Sequence, residues 1–180
     1  FYDPLTNLPN RRLLNDRLSQ IMAASTRSGL FGAVMFLDLD NFKPLNDRYG
    51  HDAGDLLLIE VAERLKGCVR EMDTVARFGG DEFVMMISEL AVNKAESIAQ
   101  AEIIAEKIRS TLAEPYRLTL VHKGKPETTI EHRCTASIGV VLFINHEASQ
   151  DNILKWADEA MYLAKQHQRN SVRFIDPKAV

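Results

Sequence analysis

The sequence has few cysteines, no surplus of positive charge and no long apolar run, and each absence excludes a class of protein. The two cysteines, Cys68 and Cys134, stand far apart with no CxxC motif nearby. A zinc site or disulfide framework is therefore not expected, and a reduced, cytoplasmic setting fits best. The net charge of -3 argues against a nucleic-acid-binding protein. No stretch approaches the roughly 20 apolar residues of a membrane span.

The composition is that of an ordinary globular chain. Of its 180 residues, 46% are hydrophobic, which is enough to bury a core. We expect a single domain over residues 1–180. The chain starts at Phe1 rather than Met, so we expect a fragment of a larger multidomain protein that could carry sensor or membrane-anchoring segments.

Hydrophobic periodicity predicts alternating helices and strands. Helices are expected over residues 11–27, 41–50 (a short one), 54–69, 93–113 and 150–167. Strands are expected over residues 30–40, 74–78, 82–88, 116–121, 132–143 and 172–175. A polar loop is expected over 122–128, and a hairpin turn at Gly79-Gly80. This order predicts an α+β fold with a central mixed sheet flanked by helices, as in a ferredoxin-like sandwich.

Carboxylates gather at the predicted strand ends. Asp38 and Asp40 share one face of their strand, unless they are solvated residues that cap the next helix. The hairpin would bring Asp81 and Glu82 towards them, although strand alternation predicts that only one of the two meets Asp38. A cluster of this kind repels itself unless Mg²⁺ or Mn²⁺ neutralises it. The alternative is a solvated turn.

Several longer motifs carry a family resemblance. They are "DPLTNLPNRR" (3–12), "FLDLDNFKPLNDRYGHDAGDLLL" (36–58), "GGDEF" (79–83), "SIGVVLF" (137–143) and "ADEAMYLAKQHQRN" (157–170). In this order they resemble the GGDEF domain family of diguanylate cyclases, especially the members that precede an EAL phosphodiesterase domain. The resemblance implies a palm-like fold shared with nucleotidyl cyclases and polymerases. It also implies the condensation of two GTP molecules into cyclic di-GMP and two pyrophosphates by a homodimer.

The resemblance also implies a catalytic metal site. Asp38, Asp81 and the carbonyl of Leu39 would bind Mg²⁺ or Mn²⁺, and Glu82 would support a second metal position. Asp81 is the candidate base for the ribose 3′-OH, and Lys43 would offset phosphate charge. The chemistry would be two-metal phosphoryl transfer. For Lys43, the alternative is an exposed lysine at a helix start.

Substrate binding is expected at two further places. Backbone N–H groups at 41–43, that of Phe42 among them, suit phosphate oxygens. The nucleoside positions of the family correspond to Asn46, His51 and Asp55. A carboxylate at Asp55 accepts from guanine N1–H and N2 but not from adenine, which argues against another nucleotidyl cyclase or a polymerase-like palm. The alternatives are a solvated helix end for Asn46, a residue that satisfies loop backbone for His51, and a helix-dipole charge for Asp55.

Two further sites are expected, one near the C-terminal end of the chain and one just before the hairpin. Lys165 and Arg169 correspond to phosphate-contacting positions, but Gln168 replaces the family glycine, which would strain a helix end with positive φ. Arg70 and Asp73 resemble the inhibitory RxxD motif that binds the product, cyclic di-GMP. The alternative there is a surface ion pair. For the whole domain, the alternative function is a catalytically silent module that only binds GTP or cyclic di-GMP.

Overall fold

The computed structural model describes residues 1–176 and confirms the predicted α+β class. The elements follow the predicted order with one additional strand. In chain order they are α1 (Arg11–Ser28), β1 (Gly32–Asp40), α2 (Phe42–Tyr49), α3 (His51–Cys68), β2 (Thr74–Gly79), β3 (Glu82–Ile87), α4 (Lys94–Ala113), β4 (Tyr116–Leu120), β5 (Thr128–His132), β6 (Thr135–Phe143), α5 (Gln150–His167) and β7 (Val172–Phe174).

The main sheet is mixed, with strand order β2-β3-β1-β6-β7. β1 lies at its centre and pairs antiparallel with both β3 and β6, whereas β7 runs parallel to β6. One face of the sheet packs against α3 and α4, and the other face packs against α1 and α5. Because both faces of β1 are covered, its side chains are apolar throughout its first six residues.

The alternation of β1 sets the position of its carboxylates. Val34 and Phe36 belong to the core against α1 and α5, while Leu37 and Leu39 belong to the core against α3 and α4. Because side chains alternate along a strand, Asp38 and Asp40 continue the row of Phe36 towards α5.

The additional strand corrects two predictions. β5 (Thr128–His132) forms a separate two-stranded sheet with β4, so the predicted loop over 122–128 is shorter. The predicted strand over 132–143 begins only at Thr135. β5 has mostly exposed side chains and no apolar alternation, and hydrophobic periodicity therefore could not reveal it.

No helix within residues 1–176 has both the length and the apolar character that crossing a bilayer requires.

A close approach of α5 to β6 brings the helix over the acidic end of β1. A Cβ atom added at Gly139 would lie 2.2 Å from the Ala157 carbonyl oxygen and 2.2 Å from the Met161 nitrogen. The backbone of α5 therefore rests directly on β6, and only glycine leaves room for it.

We predict that Gly139→Ala destabilises the domain by about 2–4 kcal/mol, because α5 must move away from the sheet. Urea unfolding of both proteins measures the change. The matched control is Gly67→Ala in α3, where an added Cβ meets nothing within 4 Å. That control should be neutral, or stabilising by up to about 1 kcal/mol, because alanine favours helices. Equal stability of Gly139→Ala and the unmodified domain would contradict the packing described above.

Candidate functional site

The hairpin between β2 and β3 turns one residue later than predicted. Gly79 still belongs to β2 and pairs with Glu82, so the turn consists of Gly80 and Asp81 rather than Gly79 and Gly80. The positive φ of Gly80, 51°, suits a tight hairpin turn. Asp81 therefore stands at the tip of the turn, outside the regular ladder.

Both hairpin carboxylates approach Asp38, contrary to the expectation that only one would. Glu82 is the direct cross-strand partner of Asp38 in the pairing of β1 with β3. Asp81 shares a side-chain hydrogen bond with Asp38, and its backbone carbonyl accepts from Leu39 N–H at 3.3 Å. Strand alternation does not apply to Asp81, because it lies in the turn.

Crowding changes the proton affinities of these carboxyls. Burial, followed by the hydrogen bond and the charge of Asp81, raises the pKa of Asp38 to about 7, although Lys165 opposes the shift. Burial also raises the pKa of Glu82, with further contributions from the charges of Asp158 and Asp81. The charge of Asp81 therefore favours the protonated form of Asp38, and a divalent cation beside Asp38 would oppose this effect.

Asp40 has a different environment, which the sequence did not predict. Its side chain is fully buried and accepts hydrogen bonds from Thr135 Oγ1 (2.6 Å), Ser137 Oγ (2.8 Å), Asn170 N–H (3.0 Å) and Lys165 Nζ (3.2 Å). Burial alone would raise the pKa of Asp40, but these donors outweigh it and lower the pKa. Asp40 is thus a structural anion, and the alternative of a solvated, helix-capping residue is wrong for it.

Lys165 extends from α5 into the acidic end of β1. Its Nζ donates to the Leu39 carbonyl at 3.1 Å and to Asp40, and it lies 3.7 Å from Asp38 Oδ2. The ammonium therefore neutralises part of the carboxylate charge. It also contacts the Leu39 carbonyl, which the resemblance implies is a metal ligand. That oxygen has a second lone pair, which remains free for a metal ion.

A hard divalent cation fits the oxygen atoms at this end of β1. Asp38 Oδ1 is buried and has no hydrogen-bond partner, which is costly unless a cation completes the site. Within residues 1–176, no group of three His, Cys, Asp or Glu side chains is arranged to hold a metal. Asp38, Asp81 and the Leu39 carbonyl would thus need water or phosphate oxygens to complete the shell, as Mg²⁺ sites ordinarily do.

The predicted nucleoside positions lie on α2 and at the start of α3. Asn46 Oδ1 is buried without a hydrogen-bond partner. A Cβ at Gly54 would lie 1.8 Å from this oxygen, so glycine makes room for the amide. His51 and Asp55, one turn apart in α3, are both exposed next to it. Gly54 was not predicted, although a glycine inside an apolar helix is a signal of close packing.

The start of α2 offers backbone donors where phosphate binding was predicted. Asn41 precedes α2 in the left-handed conformation, and its side chain does not cap the helix. The first N–H groups of α2, including those of Phe42 and Lys43, therefore lack a side-chain acceptor. The Lys43 side chain is exposed. Arg169 reaches the same point, because its Nη1 donates to Asn41 Oδ1 at 2.8 Å.

Gln168 does not cause the strain that was expected. α5 ends at His167, and Gln168 has an extended conformation with φ of -164°. The positive φ falls instead on Asn170, at 58°. Asparagine tolerates this conformation better than most residues, so the departure from the family glycine leaves the tail well formed.

An ion pair from the N-terminal segment fixes the hairpin turn. Arg77 Nη1 contacts both oxygens of Asp3, at 3.0 and 3.1 Å. The Nε and Nη2 atoms of Arg77 donate to the Gly80 carbonyl at 3.1 and 2.9 Å. The predicted site did not include this pair, and the N-terminal motif "DPLTNLPNRR" was its only signal.

Arg70 and Asp73 form a close pair rather than two separate surface groups. Arg70 Nε and Nη2 each lie 3.2 Å from the Asp73 carboxylate, which also accepts from the N–H groups of Arg70 and Ser88. Asp73 is buried, with 1% of its side chain exposed, whereas Arg70 is 48% exposed. Only Arg70 therefore presents a surface to a ligand.

The fold and the site define a palm-like α+β domain with an acidic strand end between a hairpin turn and a helix N-terminus. The family model described as "Diguanylate cyclase, GGDEF domain" matches residues 1–171. The chain belongs to the GGDEF domain family, which confirms the resemblance seen in the sequence.

Three Pseudomonas aeruginosa proteins illustrate the relationship. The bifunctional diguanylate cyclase/cyclic di-GMP phosphodiesterase MucR is 43% identical over 97% of this chain, which spans 23% of MucR. The cyclic di-GMP phosphodiesterase NbdA is 38% identical over 97% of the chain, which spans 20% of NbdA. The solved GGDEF domain of TpbB is 39% identical with a TM-score of 0.84, over 98% of this chain and 95% of that one.

We predict that Mg²⁺ stabilises the domain more at about pH 8 than at about pH 5.5. Folding raises the pKa of Asp38 from 3.8 to about 7. Between these values the folded state binds more protons than the unfolded state, so the metal-free domain loses stability as pH rises. A divalent ion that takes the place of the proton should recover about 1–3 kcal/mol at the higher pH.

Thermal unfolding with and without Mg²⁺ at both pH values measures this difference. Asp38→Asn should abolish it, whereas Asp47→Asn, at an exposed carboxylate of α2, should retain it. An Mg²⁺ effect of the same size at both pH values would contradict the assignment of Asp38 as a metal ligand.

Proposed function

We propose that the domain is a diguanylate cyclase that condenses two GTP molecules into cyclic di-GMP and two pyrophosphates. The observation that carries the proposal is the pair of Asp38 and Asp81, with the orphaned Asp38 Oδ1, beside the uncapped start of α2. Carboxylates suited to a divalent cation thus lie next to backbone donors suited to phosphates. Mg²⁺ or Mn²⁺ bound there would neutralise charge on the phosphates and lower the pKa of the attacking hydroxyl.

Each half of the reaction forms one phosphodiester bond. The ribose 3′-OH of one GTP attacks the α-phosphorus of the other, and the bond to the β-phosphate oxygen breaks to release pyrophosphate. Asp81 accepts the proton of the hydroxyl, because it stands half-buried at the hairpin turn with Asp38 beside it. Glu82 adds negative charge for a second metal position, and Lys43 and Arg169 face the phosphates.

Guanine recognition is assigned to side chains of α2 and the start of α3. Asp55 accepts from guanine N1–H and N2, and the buried Asn46 amide provides a further polar contact. His51 lies one turn before Asp55 on α3. Adenine presents an acceptor where guanine presents a donor, so it would leave the Asp55 carboxylate unpaired.

The reaction requires two copies of the domain. One domain binds one GTP, and the two nucleotides attack each other, so the active species is a homodimer with twofold symmetry. We therefore expect the rate per domain to rise with protein concentration. A cytoplasmic location and attached sensor or EAL domains fit this role, and MucR is an example of a relative with both activities in its name.

We predict that Asp81→Asn lowers kcat by at least about 100-fold, because it removes the proton acceptor. GTP affinity should change only a few-fold. Turnover of GTP with Mg²⁺ at several protein concentrations, with chromatographic separation of cyclic di-GMP, measures the rate, and calorimetry measures binding. Glu102→Gln, at an exposed carboxylate of α4, is the matched control.

The second candidate function is a silent binding module, and one observation favours it. NbdA, which is named only as a phosphodiesterase, is 38% identical to this chain. Tight GTP binding without any cyclic di-GMP at high protein concentration would replace the cyclase with this module.

An inhibitory product site is proposed at Arg70. The Arg70 side chain is 48% exposed, and its guanidinium is held in place by hydrogen bonds to the buried Asp73 carboxylate. The exposed edge can donate to a guanine or a phosphate of cyclic di-GMP. Because the Asp73 carboxylate is buried and already takes several donors, we assign it a positioning role at this site.

We predict that Arg70→Ala raises the cyclic di-GMP concentration for half-inhibition by at least about tenfold, since a charged hydrogen bond is lost. Inhibition curves at a fixed GTP concentration measure the change. Lys66→Ala removes a positive charge four residues away and should leave the curve unchanged. An unchanged curve for Arg70→Ala would exclude this product site.

A further inference from the structure

An arginine of α4 lies outside the proposed site but is hydrogen-bonded into it. Arg109 pairs through Nε and Nη2 with both carboxylate oxygens of Glu106, one turn earlier. Its remaining nitrogen, Nη1, donates to Asn170 Oδ1 at 2.7 Å, across 61 positions of sequence. The Arg109 side chain is 23% exposed and the Glu106 side chain 59% exposed, so water competes more for the Glu106 contacts than for the contact with Asn170. All three nitrogens of the guanidinium are therefore engaged.

Asn170 occupies the turn between α5 and β7 in the left-handed conformation, with φ of 58°. Its side chain accepts from Arg109, and its N–H donates to the buried carboxylate of Asp40 at 3.0 Å. The next residue is also held in place, because the Ser171 carbonyl accepts from Ile138 N–H of β6 at 2.9 Å. Contacts on both sides thus hold a backbone conformation that non-glycine residues seldom adopt.

The conformation of this turn determines where two phosphate-facing cations point. Arg169 precedes Asn170 directly and donates to Asn41 at the start of α2. Lys165 donates to the same Asp40 carboxylate that accepts from Asn170 N–H. If the turn changed its conformation, Arg169 would no longer point towards the start of α2. Asp40 would also lose the Asn170 N–H, which is one of the donors that hold it beside Lys165.

We propose that Arg109 is a positioning residue, which holds the turn over residues 168–170 so that Arg169 and Lys165 face a bound triphosphate. The nature of this ligand rests on the proposed function, whereas the contacts of Arg109 do not. A simple helix-surface ion pair with Glu106 would stabilise α4 slightly and leave nucleotide binding unaffected. The two roles therefore differ in what Arg109→Ala does to binding.

A double-mutant cycle separates these roles. The variants are Arg109→Ala, Asn170→Ala and the pair, and calorimetry measures their affinity for GTP and for pyrophosphate, both with Mg²⁺. Each single change should weaken both affinities by about 5- to 20-fold, and the pair should be no weaker than either alone. The KM for GTP should rise more than kcat falls. Thermal unfolding of each variant shows whether the fold is intact.

Two control variants come from the same helix. Glu106→Gln removes the ion pair but keeps the Arg109–Asn170 hydrogen bond, so the affinity should stay within about twofold. Lys107→Ala removes a neighbouring exposed charge and should have no effect. A loss in Glu106→Gln equal to that in Arg109→Ala, or additive losses in the cycle, would overturn the positioning role.

Failure of the proposed function gives a different result. If the domain is a silent module, it still binds GTP and the cycle applies unchanged; if the unmodified domain binds neither GTP nor pyrophosphate, amide hydrogen exchange at Asn170 tests the positioning by itself. Exchange there should accelerate about tenfold in Arg109→Ala, because the N–H contact with Asp40 opens more often. Unchanged exchange at Asn170 would overturn the inference whether or not the domain binds nucleotide.

Discussion

The acidic end of the domain depends on the buried carboxylate of Asp40. A buried carboxylate without partners would be protonated or would destabilise the fold. Here β6 supplies two hydroxyl donors, α5 supplies the Lys165 ammonium, and the turn after α5 supplies the Asn170 N–H. Because each donor comes from a fixed element, the carboxylate joins β1, β6, α5 and the tail at one point. The positions of Lys165 and of the turn at Asn170 follow from this junction.

The two carboxylates of β1 lie at different distances from Lys165. Its ammonium is 3.2 Å from Asp40 but 3.7 Å from Asp38. Burial raises the pKa of both carboxyls. The hydrogen bonds from Thr135, Ser137 and Asn170, together with Lys165, outweigh burial at Asp40 and lower its pKa, whereas Asp81 adds to the effect of burial at Asp38 and raises its pKa. Two aspartates only two positions apart thus acquire opposite character from their surroundings, one structural and one open to ligands.

The sequence predicted the fold class and nearly all elements, because α3 and α5 have clear apolar periodicity and β1 is a continuous apolar run. It could not predict β5, whose exposed residues lack such a pattern. The predicted hairpin brought Asp81 and Glu82 towards Asp38, but strand alternation predicted that only one of them would meet it. The buried partners of Asp40, and the contact of Arg109 with Asn170, join residues up to 130 positions apart. Such polar contacts leave no periodic signal, so only the folded structure reveals them.

Lys165 alone does not neutralise the carboxylates of the site. Asp38, Asp81 and Glu82 bring up to three negative charges to one site, and Lys165 already donates to Asp40. The raised pKa of Asp38 shows that this balance is incomplete. A nucleotide triphosphate alone would add further negative charge and be repelled, and a divalent cation alone would bind only a partial set of oxygens. The two ligands together complete both the charge and the coordination, so we infer that metal and nucleotide bind with positive cooperativity.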